Sequence, residues 1–378
     1  MIPQRGSESA PLNLEPIEIG TLPSSIPLTA NSGPIAWSLM SILLMPGAFR
    51  LLLATAVVVN HYTRLQIGTA AVELFFILSG YWIDRMYDRQ YSKLRFPAFV
   101  FITSRFMRLM PLFLLFSVIA ILLQNALGTK VALDHIGFDM LPNFFILGYA
   151  SLSERPLVPA WSLDIELQFY LLFPLLWGAL SRSRKFLGSV AVALLIGGGL
   201  YLGLFLREQS AVVIPYFGFF AVGIYASRIE WKPTGGLIWS GIGIALLGAA
   251  MTAVIQGASG IFVASESLPG RAWNTAANVA VAVCLAPLAI STVNRRSTRR
   301  DRIAGDLSYA VYCSHWISVV VAAYYFSEAG WRTKLPFIAG ALILTYGVSL
   351  AALVWFDRPL GQLRERWIRR QPSRAELS

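Results

Sequence analysis

The chain has 378 residues, of which 56% are hydrophobic and 13% charged. Its mean hydropathy of +0.60 excludes a soluble globular domain and a disordered chain. The net charge of +11 does not indicate a nucleic-acid partner, because Lys and Arg are scattered through short loops with no basic amphipathic stripe or zinc-ligand spacing.

Residues 1 to 35 are rich in Pro, Ser and Glu and lack the basic start and apolar core of a signal peptide. They read as a disordered, uncleaved cytoplasmic tail. Apolar runs of roughly 20 residues then recur near 40 to 60, 69 to 84, 105 to 124, 161 to 180, 186 to 206, 211 to 227, 237 to 255, 272 to 292, 307 to 326 and 336 to 356. The expectation is an all-α, polytopic transmembrane helix bundle of about ten spans over residues 36 to 360, followed by a basic cytoplasmic tail, 361 to 378. Pro46 and Gly47 leave the first span two possible starts, near residue 40 or near Arg50. Cys284 and Cys313 fall inside apolar segments, which argues against a disulfide framework. Gly199 and Gly203 have the small-xxx-small spacing of close helix packing.

Alternating the loops between the two sides places 23 of the 31 Lys and Arg residues on one side and 7 on the other, with Arg50 inside a span. By the positive-inside rule the richer side is cytoplasmic, and an even number of spans puts both termini there.

This orientation gives each intramembrane polar residue a depth. A charge at a helix centre costs about 2.5 to 3.5 kcal/mol on insertion scales, so each one needs a reason. Arg50 and His61 lie eleven residues apart in the first span, which is three turns plus roughly 20°. They share a face and are separated along the axis by about 16 Å. Glu73 comes one turn after the outer end of the second span. Arg105 and Arg108 lie at the inner end of the third. Ser162, Asp164 and Glu166 lie at the outer end of the fourth, with Ser162 and Glu166 on one face and Asp164 turned toward the headgroups.

Guanidinium groups (Arg50, Arg105, Arg108) therefore gather toward the cytoplasm, and an imidazole with carboxylates (His61, Glu73, Glu166) in the outer half. The first set suits phosphates bound by forked hydrogen bonds; the second suits proton transfer near neutral pH. Together they point to a phosphate-bearing donor entering from inside and a hydroxyl acceptor entering from outside. A structural reading stands beside this: inner arginines as snorkelling anchors, His61 as a packing residue, and Glu73 and Glu166 as partners of the arginines.

These residues resemble the membrane acyltransferase 3 family, whose members O-acylate sugars of bacterial cell-surface polysaccharides. The arginine and histidine separated by ten residues match Arg50 and His61. AVELFFILSG is similar to the family's Gly-Val-Asp-Leu-Phe-Phe-x-Leu-Ser-Gly segment, with Glu73 in place of aspartate and Ser79 and Gly80 retained. RFMRLMP supplies Arg105, Arg108 and Pro111, and WSLDIELQFY supplies Trp161, Ser162, Glu166, Phe169 and Tyr170. LSYAVYCSHWI supplies Tyr309, Tyr312 and His315, and FDRP resembles a closing Glu-x-Pro element.

The resemblance implies a multi-pass protein of the bacterial inner membrane with acyl-CoA, commonly acetyl-CoA, as co-substrate and no permanently bound cofactor or metal. Its acceptor would be a glycan or lipid-linked oligosaccharide, with membrane lipids around it. Arg105 and Arg108, helped by Arg50, would hold the donor's phosphates. His61 would be the general base, oriented by Glu73 or Glu166, and Arg50 would give electrostatic help along the path; Trp161, Ser162, Tyr170 and His315 would contact substrate. Direct transfer and an acyl-histidine intermediate both remain open. The rival reading is a secondary transporter or flippase for a glycan or small anion, which predicts inverted halves with interrupted helices at matching positions; no such halves are visible. A His-x4-Asp acyltransferase box is also missing, since Gln66 stands five after His61 and Asp139 four after His135.

Topology is open to direct measurement. Reporters fused after residue 61 or 330 are expected outside, and those after 90, 184, 298 or 372 in the cytoplasm. Two fusions on the opposite side overturn the orientation.

Overall fold

The computed structural model describes residues 44–63, 65–128, 141–181, 197–198, 211–256, 268–326 and 331–374, all within one unit, Ser41–Ser378. The tail 1 to 35, nearly all of the segment 186 to 206, the glycines at 199 and 203, and His135 with Asp139 lie outside the described residues.

The described chain is helical. In order come α1 (Pro46–Tyr62), α2 (Gly68–Arg89), α3 (Pro97–Ala126), the short α4 (Leu141–Phe145), α5 (Trp161–Ser181), α6 (Phe217–Arg228), α7 (Gly235–Gln256), α8 (Leu268–Val293), α9 (Arg299–Phe326) and α10 (Trp331–Ala352). A π-helical turn, Leu353–Asp357, then leads straight into α11 (Arg358–Arg369). Among the described residues no β-strand occurs, and a single antiparallel bridge joins Leu94 to Ser373. Next to it the Arg95 N–H donates to the Pro372 carbonyl at 3.0 Å, tying the residues after α11 to the turn before α3.

Among the described residues four helices are long and apolar enough to cross a membrane: Pro97–Ala126, Trp273–Val293, Arg299–Phe326 and Leu335–Arg369. α6, in the place of the segment 211 to 227, is only 12 residues, about 18 Å at 1.5 Å per residue. That is short of the roughly 30 Å of hydrocarbon. Large apolar side chains point outward on α7 and α10, Trp239, Leu246, Ile343 and Leu344 among them. In lipid such exposure carries no cost.

Helix ends take their partners from distant parts of the chain. α1 starts at Pro46, where a missing N–H is harmless, and the Ala48 N–H donates to the Asp301 carboxylate at 2.8 Å. The start of α2 is capped by two asparagines: Gly68 N–H donates to Asn60 at 2.8 Å and Ala70 N–H to Asn278 at 3.0 Å. Asn278 also donates to the Gln66 carbonyl at 2.9 Å. The contacts to Ala48, Gly68 and Ala70 each answer a backbone donor that a helix terminus leaves unsatisfied.

α1 runs along α9, and α2 along α6. Close approach is possible because glycines stand at the crossings. A Cβ on Gly80 would lie 2.1 Å from the Phe220 carbonyl oxygen, and one on Gly223 would lie 1.9 Å from that of Ile77. Beside them Phe169 stacks on Phe220 with ring centroids 3.9 Å apart, and the core continues through Phe113, Phe116 and Phe173. Gly223→Ala is therefore expected to destabilise the protein by about 1 to 3 kcal/mol, read as a lower thermal midpoint in detergent. Gly243→Ala, where nothing lies within 4 Å of the added Cβ, is the matched control and should leave the midpoint in place.

Candidate active site

Two chambers lie inside the bundle. The first, about 340 Å³, is cationic: Arg50 from α1, Arg105 and Arg108 from α3, Ser79 from α2, Ser162, Glu166 and Tyr170 from α5, and Tyr309 from α9 line it. The second, about 940 Å³, holds Asn60 and His61 from α1, Glu73 from α2, Arg155 and Trp161 from the entry to α5, and Tyr216. Val72 and Tyr312 appear on the walls of both. The eleven-residue spacing of Arg50 and His61 thus puts one side chain in each chamber.

In the cationic chamber the three arginines differ. Arg108 is committed: its Nη1 donates to Asp357 at 2.7 Å and its Nη2 lies 4.0 Å from Asp306, while the guanidinium stands over the Tyr309 ring at 5.5 Å. Arg105 donates through Nη2 to the Tyr91 hydroxyl at 3.3 Å and the Met86 sulfur at 3.4 Å, and its buried Nε has no partner among the described residues. Arg50 makes no hydrogen bond among the described residues, and its Nε is buried and unpaired. Two of the three guanidiniums therefore lie in the chamber without a salt bridge to a carboxylate among the described residues.

Glu166 belongs to this chamber, which corrects the expectation that it gathers with His61 and Glu73. It accepts a 2.5 Å hydrogen bond from Ser79 and another from Tyr170. The start of α5 is covered by an inward-folded loop in which Ile146, Tyr149, Leu157 and Ala160 are buried. A depth counted from Trp161 therefore misjudges where Glu166 lies. Asp164 holds that loop. Far from facing headgroups it is fully buried, accepting from Gly148 N–H at 3.1 Å, Ala150 N–H at 2.8 Å and the Gln168 amide at 3.0 Å. Gly148 takes a φ of +84°, a conformation in which a side chain would be strained.

In the second chamber His61 and Glu73 face the same space without a hydrogen bond between them, and Glu73 is buried with Oε2 unpartnered among the described residues. The His61 ring packs against His315 (centroids 5.4 Å) and edge-on to Trp316 (5.2 Å). His315 itself is wholly buried, sharing a 3.2 Å hydrogen bond between Nδ1 and the Val311 carbonyl. It is not among the residues lining either chamber, so it stands behind the site. Trp161 and Tyr216 meet at 5.5 Å and form an aromatic edge to the chamber. Of the residues named for substrate contact, Trp161 lies on the histidine side, Ser162 and Tyr170 on the cationic side.

Sequence reasoning gave no role to Asp357, although the FDRP element that contains it was noted. The π turn shifts the helix phase and delivers this carboxylate to Arg108. Asn60, immediately before His61, and Asn278 were missed altogether: Asn60 caps a helix that starts eight residues on, across a break in the helical pattern, and Asn278 caps the same helix from 208 residues away.

An all-helical membrane protein that sets unpaired guanidiniums on one side of a thin wall and a histidine–carboxylate chamber on the other has the build of a membrane-embedded transferase. Residues 41–354 match the family described as "Acyltransferase domain", and the chain belongs to that acyltransferase 3 family. It is similar to the Komagataeibacter xylinus protein named "Putative membrane-bound transacylase BcsY", 26% identical over 325 residues that cover 80% of this chain and 78% of that one. A Haemophilus influenzae protein named only as uncharacterized is 30% identical over 116 residues, 28% of this chain and 47% of its own. No solved structure matches.

The Arg108–Asp357 pair is expected to behave as a coupled unit. Removing one partner of a buried pair costs about 3 to 5 kcal/mol, whereas removing both costs less. Arg108→Gln and Asp357→Asn should each lower the thermal midpoint, and the double variant should lie above the sum of the two losses. Strict additivity would show that the contact contributes nothing.

Proposed function

We propose that the protein is an O-acyltransferase that moves an acyl group, acetyl by preference, from cytoplasmic acyl-CoA to a sugar hydroxyl of a glycan or lipid-linked oligosaccharide at the outer face of the bacterial inner membrane. About ten spans with both termini cytoplasmic belong to this reading. The observation that carries it is the division of chemistry between the chambers: unpaired arginines in one, His61 with Glu73 in the other, across a wall one side chain thick.

Coenzyme A carries several phosphates, which Arg105 and Arg50 would meet with free N–H groups while Arg108, steadied by Asp357, adds charge. The pantetheine arm then runs toward the wall. The acceptor hydroxyl lies in the second chamber against Trp161. His61 takes its proton as the oxygen bonds to the thioester carbon, the C–S bond breaks, and the proton passes to the departing thiolate to give free CoA. Glu73 faces His61's chamber and would stabilise the imidazolium formed in between; Arg50 would steady negative charge arising on the donor side. Glu166, held by Ser79 and Tyr170, shapes the donor chamber.

The test uses purified protein in liposomes with acetyl-CoA. His61→Ala is expected to lower transfer by 10² to 10⁴, the usual worth of a general base, at normal abundance and with CoA binding retained. Arg105→Gln should instead raise the apparent KM for acetyl-CoA. Half of the activity surviving in His61→Ala removes that residue from the mechanism, and unchanged CoA binding in Arg105→Gln makes the arginine an anchor.

A further inference from the structure

We infer that Val72 and Tyr312 form the aperture through which the acyl group crosses, and that the width left by the Val72 side chain selects acyl groups by bulk, admitting unbranched short chains and rejecting branched ones. This rests on the reading just given. Among the described residues these two alone line both chambers, so a donor held by Arg50 and Arg105 would present its thioester carbon to a hydroxyl beside His61 between them.

The aperture is rigid on both sides. The Tyr312 hydroxyl donates to the Pro159 carbonyl at 2.7 Å and shares a 2.6 Å hydrogen bond with Ser162, which fixes the α9 ring to the entry of α5. Val72 is nearly inaccessible and, being β-branched, has few rotamers with which to move aside. One turn further along α2, Phe76 stacks on Phe220 at 4.6 Å, which holds that turn in place. A fixed ring facing a stiff branched side chain discriminates by width. Chains of equal carbon number but different branching are then told apart, and length alone matters less.

The step itself is balanced within the wall: the acceptor oxygen bonds to the acyl carbon as that carbon leaves sulfur, and the hydroxyl proton ends on the thiolate. An aperture that fits only the thioester end also keeps bulk water from the same carbon.

The experiment measures kcat/KM of liposome-reconstituted protein with acetyl-, butyryl- and isobutyryl-CoA. Wild type is expected to use butyryl-CoA better than isobutyryl-CoA. Val72→Ala should raise the isobutyryl-to-acetyl ratio by about tenfold or more, the scale of a methyl-sized change in an apolar pocket, and Val72→Leu should lower it. Ratios within twofold of wild type in folded Val72→Ala, with acetyl transfer intact, overturn the aperture and leave the proposed function standing. Folded wild type that turns over none of the three donors overturns both. Val72→Ala removes volume only, so it decides the matter if Val72→Leu does not fold.

Discussion

A polar group buried away from water must find its partner inside the protein, and in a membrane bundle that requirement governs nearly every contact. An unsatisfied backbone or side-chain group costs on the order of several kcal/mol in hydrocarbon. Asp301 answers the start of α1, Asn60 and Asn278 the start of α2, Asp164 the loop before α5, and Asp357 the guanidinium of Arg108. Against that background the groups left without partners stand out. Arg50 Nε, Arg105 Nε and Glu73 Oε2, which line the two chambers, are buried and unpaired among the described residues, as are His315 Nε2 behind the site and Ser117 Oγ, Asn143 Oδ1, Arg228 Nη1 and Arg364 Nε elsewhere. The two chambers gather three of these groups, and neither the cavity between α9 and α10 nor that between α7 and α8 brings a guanidinium and a carboxylate of this kind so near to one wall.

The division between chambers follows from one helix. Eleven residues of α1 carry the chain from Arg50 to His61, and the intervening Leu53, Ala54, Val57 and Val58 are buried, so nothing polar connects the two ends along that face. A hydrophobic helix segment thus separates the arginine chamber from the histidine chamber. α2 repeats the arrangement with Glu73 on one side and Ser79 on the other.

Much of this was legible in the sequence, for reasons that can be stated. Apolar runs located the helices because hydropathy is a local property, and the charges of α1 and α3 were conspicuous against it. Their grouping also held for Arg50, Arg105 and Arg108, which share a chamber, and for His61 with Glu73, which share the other. Glu166 failed because depth was counted along a helix assumed to start at the membrane surface, whereas the loop carrying Tyr149 and Leu157 packs inward over it. Asp164 failed for the same reason. The Asp301 and Asn278 caps and the Arg108–Asp357 pair depend on contacts between residues some 200 or more positions apart, which no window of sequence contains.

The Arg108–Asp357 contact also bears on how the protein is made. The two residues are 249 positions apart, and at about 5 to 20 residues per second the ribosome needs roughly 12 to 50 seconds to supply the second after the first. For that interval α3 waits with a guanidinium that lacks its closest carboxylate, Asp306 at 4.0 Å being the more distant of the two. The late turn Leu353–Asp357 is the one that brings the 2.7 Å carboxylate partner. A nascent chain interrupted before it keeps on α3 an arginine without its 2.7 Å partner, a mark by which unfinished molecules differ chemically from finished ones.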